Sequence, residues 1–102
     1  MTKTEKVFIS GPMKTPDYQR TFAEAADRLA TEGYEVLNPA AAIPADADRP
    51  AAMRICLAMI DVADSMYFLP NWGNSMGCFV ERAYGNYLGK RIFGNPPAPP
   101  VL

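Results

Sequence analysis

Four short apolar runs, each cut off by a turn-forming residue or a change of pattern and spaced by helix-length segments, restrict this fold more than any other feature of the chain. "KVFIS", Lys6–Ser10, ends at Gly11-Pro12; "YEVLNP" ends at Asn38-Pro39; "SMYFLP" ends at a proline; and "RIF" precedes the tail. Such runs read as strands closed by sharp turns. Between the first two, Phe22, Ala25, Ala26 and Leu29 recur at i, i+3, i+4, i+7, with Pro16-Asp17 before them and Gly33 after them. That pattern predicts an amphipathic helix over residues 17–32. The segment "AAAIPADADRP", residues 40–50, reads as a surface loop leading into a second helix with Pro50 in its first turn and Met53, Cys56, Leu57 and Ile60 at helical spacing. "NWGNS" reads as a loop, and residues 75–90 as a third helix with the apolar stripe Val80, Ala83, Tyr84, Tyr87 and Leu88.

The order β-α-β-α-β-α-β, with connections long enough for right-handed crossovers, predicts a three-layer α/β fold. Its sheet is small, parallel and of about four strands, in the Rossmann or flavodoxin manner. One domain spans residues 1–93, and the proline-rich segment 94–102 is a tail that continues neither sheet nor helix. Ligands of such sheets sit beyond the carboxyl ends of the strands, where strand order reverses. Residues 10–14, 38–43 and 70–77 would face that crevice. They include Ser10, Gly11, Pro12, Met13, Asn38, Trp72, Ser75 and Gly77.

With 10 basic and 11 acidic residues in 102 and no run of like charge, the chain lacks the basic track that binds a nucleic-acid polymer. No apolar stretch nears the roughly 20 residues that span a bilayer, and the N-terminus lacks a signal-peptide core, so a cytoplasmic protein is expected. Histidine is absent and Cys56 and Cys78 show no C-x-x-C spacing, so no metal site is expected. Any catalysis then rests on carboxylates, tyrosine, lysine or a thiol.

Glu81 sits four residues after Gly77, where a glycine-containing loop becomes a helix. Read locally it is either an ordinary exposed helix residue or a carboxylate near the sheet's carboxyl edge, costly to bury unless paired or used. The Ser10-Gly11-Pro12 turn is either a tight connection or an anion cradle that Pro12 deprives of one donor. Trp72 is either a stacking surface over a base or an anchor of its loop on the core. The two cysteines read as core thiols as readily as reactive ones.

Taken together, "VFISGPM", "GYEVLNPA", "MIDVADSMYFLPNW" and "SMGCFVERAYGNYLGKRIF" resemble the nucleoside 2-deoxyribosyltransferase-like superfamily, over roughly residues 6 to 93, and in particular a small branch found in bacteria and their viruses. The resemblance implies cleavage or transfer at an N-glycosidic bond without a cofactor. The carboxylate of a G-x-x-x-E motif, here Gly77 to Glu81, attacks C1′ of the sugar. Ser75 matches the serine of the nucleoside 5′-monophosphate hydrolase branch, which binds the phosphate. Phe8 stands where the family has a tyrosine that holds the nucleophile, and Cys56 stands where it has an aspartate that assists the departing base. The ligand implied is a nucleoside or nucleotide. Alternatives are a weakened nucleotide-binding protein of the same fold, or a small interaction protein with a vestigial site. A core this small would leave aromatics such as Phe79, Tyr84 or Tyr87 exposed, and a homodimer or higher homo-oligomer is expected. Related enzymes complete their sites across subunits, which the resemblance extends to this chain.

Overall fold

The computed structural model describes residues 3–95. Its elements run β1 (Lys6–Ser10), α1 (Tyr18–Thr31), β2 (Glu35–Leu37), α2 (Pro39–Ala42), α3 (Arg49–Val62), β3 (Ser65–Phe68), a 3-10 turn (Trp72–Asn74), α4 (Met76–Tyr87) and β4 (Arg91–Gly94). The four strands form one sheet in the order β2-β1-β3-β4, with every pair parallel. It is an α/β fold with helices on both faces of the sheet, as the alternation of strands and helices predicts.

Strand order and crossover handedness together dictate which face each helix covers. The chain leaves β1 for β2 on one side, then crosses back over β1 to β3 and on to β4. With right-handed crossovers, that reversal sends α1 to one face and both α3 and α4 to the other. The two cores follow suit. Val7, Ile9 and Leu69 pack with Phe22, Ala25 and Leu29 of α1. Phe8, Met66 and Phe68 pack with Cys56 and Ile60 of α3 and Cys78 of α4. The period of two along each strand does the sorting, since alternate side chains point to opposite faces.

Three expectations need correction. Residues 39–42 are a helix and not loop: Asn38 caps it, its Oδ1 accepting from the Ala40 N–H at 3.0 Å, and Pro39 supplies the fixed φ of a first helical turn. Pro39, Ala40 and Ile43 are buried. Second, α4 does not bury the expected stripe. Its inward residues are Cys78, Glu81 and Gly85, while Val80, Tyr87 and Leu88 are 43%, 89% and 41% exposed. Glycine explains the rotation: a Cβ on Gly85 would lie 2.0 Å from Met66 Sδ, so only a bare Cα lets the helix settle this close to β3. Of the aromatics expected to be exposed, Tyr87 is, whereas Phe79 and Tyr84 are half-buried. Third, Trp72 is an anchor and not an open stacking surface. It is 2% exposed, with its ring 5.1 Å from Phe68 and 5.2 Å from Phe79 and the Arg82 guanidinium 5.2 Å from its centre.

The tail expected over 94–102 begins later, since Gly94 belongs to β4 and Asn95 donates from its side chain to the Phe68 carbonyl at 2.8 Å. The remainder of that segment lies outside the described residues. No helix among the described residues is long and apolar enough to cross a membrane.

Candidate functional site

Ser10 is two residues beyond Phe8 on β1, so it points to the face that α3 and α4 cover. Glu81 is one turn into α4 on the side that Gly85 holds against the sheet. These two constraints, one of strand parity and one of helix packing, bring the side chains together. The Ser10 hydroxyl donates to Glu81 Oε1 at 2.7 Å, with Ser10 1% and Glu81 5% exposed. From α3, the buried Cys56 thiol lies beside the carboxyl.

Among the described residues, no cation pairs with this carboxyl. Burial pushes its pKa up to about 7, against the pull of the Ser10 hydrogen bond and of the neighbouring Cys56 thiol. Burial likewise pushes the Cys56 thiol well above its ordinary value, and the neighbouring Glu81 charge pushes it further. Cys78 is raised too, chiefly by burial. Both thiols stay protonated at neutral pH. Cys56 is therefore not an acid of useful strength.

Glu81 forms part of the lining of a cleft of about 390 Å³. That volume lies within the range that takes a small organic ligand. The cleft opens where strand order reverses between β1 and β3, and its walls come from the segments that follow β1, β2 and β3. Met13, Ile43, Ala52, Met53 and Val80 contribute apolar surface. Lys14 and Arg49 contribute positive charge, and neither makes an ion pair among the described residues. Among those residues Glu81 is the only acidic group of the lining.

Of the residues singled out in the sequence, Gly11, Met13, Cys56, Ser75, Gly77 and Glu81 line the cleft. Ser75 caps α4, its hydroxyl oxygen accepting from the Cys78 N–H at 3.3 Å while its proton is left to donate. Gly77 leaves room: a Cβ there would stand 3.4 Å from Met53 Cε and 3.6 Å from Ser75 Oγ, which the fold tolerates but which takes volume from the cleft. Ser10 sits behind Glu81 and outside the lining, Phe8 lies in the core at 0% exposure, and Asn38 is spent on the cap of α2. Pro12 and Trp72 are not among the lining residues. Lys14 falls in the 10–14 segment expected to face the crevice, whereas the sequence does not single out Tyr18, Arg49 or Met53 as site residues. Their signal is tertiary, since nothing local says that the starts of α1 and α3 meet across a cleft. No group of three or more histidine, cysteine or acidic side chains among the described residues could hold a metal.

Residues 5–94 match a protein family described as a domain of unknown function, DUF4406. The chain belongs to that family. The match spans the whole sheet and all four helices, so cleft and carboxyl both fall within the family's domain. No curated protein matches the chain.

Proposed function

We propose that the chain cleaves, or transfers across, the N-glycosidic bond of a nucleoside 5′-monophosphate with Glu81 as nucleophile. The observation that carries this reading is a buried carboxyl, without a cation, at the lining of a cleft on the strand-reversal point. In the proposed step a Glu81 oxygen bonds to C1′ as the C1′–N bond breaks. The base departs with the electron pair and takes up a proton. Water or a second base then attacks C1′ and frees the carboxylate. Low dielectric strengthens the interaction between the carboxylate and the positive charge developing on the sugar. Lys14, Arg49, the Ser75 hydroxyl and the amino end of α4 suit a phosphate. The apolar wall of Met13, Ile43 and Met53 suits a base.

A second reading, a nucleotide-binding protein that turns over slowly, is favoured by Cys56. Its raised thiol leaves the departing base without a strong acid, which costs about a hundred- to ten-thousandfold in rate. The outward strip of α4, with Met76 71% and Tyr87 89% exposed, is the surface on which we place a homo-oligomeric contact.

The test is incubation with a panel of nucleosides and their 5′-monophosphates, read by release of free base. Release from monophosphates, rising with pH through about 7 as Glu81 ionises and lost in Glu81→Gln, supports the glycosidase. Release that persists unchanged in Glu81→Gln sinks the mechanism. Saturable binding without release, weakened by Ser75→Ala, selects the second reading.

A further inference from the structure

We infer that Ser10 is a positioning residue for Glu81, and that its hydroxyl does here what a phenolic hydroxyl at Phe8 cannot. The inference rests on the glycosidase reading of Glu81 given above. It adds the residue that makes the carboxyl usable.

Phe8 has no hydroxyl and is 0% exposed within the core cluster, so the first strand offers Glu81 nothing at that position. Two residues further along the same face, Ser10 does. Its oxygen is 2.7 Å from Glu81 Oε1, a length typical of a hydroxyl bonded to a carboxylate. The donor is itself tied into the sheet. Ser10 ends β1, is 1% exposed, pairs with Phe68 of β3 in the sheet register, and its carbonyl accepts the Leu69 N–H at 2.9 Å. A hydroxyl fixed to the central strand thus holds one oxygen of a carboxyl carried by α4, while the Cys56 thiol approaches from α3.

A carboxyl on three rotatable bonds at a cleft wall would otherwise sample several rotamers, and attack on C1′ needs one of them. Burial alone also favours the neutral, non-nucleophilic form. Ser10 opposes both tendencies, because a donor to the ionised carboxylate fixes its plane and favours its charge. The groups facing Glu81 that can titrate are Cys56 from α3 and Cys78 on its own helix, both protonated at neutral pH. Lys14 of the β1–α1 loop and Arg49 of α3 stand elsewhere in the cleft wall. Among the described residues, the Ser10 hydroxyl is the side-chain donor hydrogen-bonded to Glu81.

The experiment compares wild type, Ser10→Ala and Ser10→Thr by two readouts. One is titration of the Glu81 carboxyl by carbon-13 NMR, assigned with Glu81→Gln. The other is base release from the monophosphate panel as a function of pH. Hydrogen bonds to charged groups lead us to expect the Ser10→Ala midpoint about one pH unit or more above wild type. Its kcat should fall about ten- to a hundredfold with KM little changed, and Ser10→Thr, which keeps the hydroxyl, should recover most of both. A Ser10→Ala midpoint equal to wild type overturns the inference whatever the activity. A shifted midpoint with no base release from any nucleotide by wild type overturns the glycosidase reading, and leaves the hold of Ser10 on Glu81 standing.

Discussion

The two edges of the sheet treat carboxylates in opposite ways. At the amino edge, Asp64 just before β3 accepts the Lys6 N–H at 2.8 Å, and Glu5 just before β1 pairs with Arg91 of β4 at 2.8 Å. The same guanidinium donates to the Tyr34 hydroxyl at 2.9 Å. These acids face solvent. The Lys6 backbone N–H holds Asp64 below the usual carboxylate range, and the Arg91 guanidinium helps to hold Glu5 below it. At the carboxyl edge Glu81 is buried, has a hydroxyl and a thiol in place of a cation, and is pushed the other way. Acids at strand starts finish the sheet's own hydrogen bonds and ion pairs. An acid at strand ends, buried with no cation paired to it among the described residues, is a cost to the fold of the kind the proposed site would call for.

Replacing the acids edge by edge is the largest test of this contrast. Glu81→Gln should cut base release by about a thousandfold or more, the scale on which loss of a covalent nucleophile is felt. Glu5→Gln and Asp64→Asn should leave it within about twofold. A comparable loss from either amino-edge variant would erase the distinction.

Gly85→Ala comes next. The added methyl must displace the buried Met66 side chain and lift α4 from β3, which carries Glu81 away from Ser10 while the amino edge stays intact. Overpacking of this kind costs about 1–3 kcal/mol, to be read in urea unfolding. A variant as stable as wild type would mean that helix and strand are not held at contact. If the copies meet through the outward strip as proposed, Tyr87→Glu should lower the sedimentation mass to that of a single chain without touching the cleft lining. An unchanged mass would remove that strip from any contact between copies.

The smallest effect belongs to the amino edge in acid. Because Glu5 and Asp64 have depressed pKa values in the fold, their stabilisation is present above the ordinary carboxylate pKa and is lost as pH falls through the depressed one. Asp64→Asn should therefore flatten the acid limb of the stability curve slightly, as read by thermal melts between about pH 5 and 2. A steeper acid limb would contradict the assignment.

Much of this architecture is legible in the chain because local and global signals agree. β1 ends at Ser10 because Gly11-Pro12 stops it. α1 falls inside residues 17–32 because its stripe is apolar and Gly33, at φ 102, closes it. α2 was missed because four residues carry no period, although Asn38-Pro39 is a cap followed by a first-turn proline. The face of α4 was misread for a deeper reason. Its inward residues are a thiol, a carboxyl and a glycine, and its outward ones include valine and tyrosine, so the hydrophobic pattern points away from the sheet. Close approach at Gly85 overrides amphipathicity there. Glu81 was legible through its spacing from Gly77, but Ser10 was read as a contact for substrate. Only the pairing of a strand face with a particular helix turn shows that its hydroxyl is bonded to Glu81.

The pH dependence of folding tests the state of Glu81 without any substrate. A carboxyl raised from 4.5 to about 7 in the fold is accommodated when neutral, so its stability contribution is fully present below 4.5 and declines as pH rises through 7. Denaturant unfolding of wild type and Glu81→Gln between about pH 4 and 8.5 should give curves that diverge with rising pH, with wild type losing roughly 3 kcal/mol relative to the variant. Curves that run parallel across that range would show that Glu81 ionises as readily in the folded protein as in water, and would contradict the account.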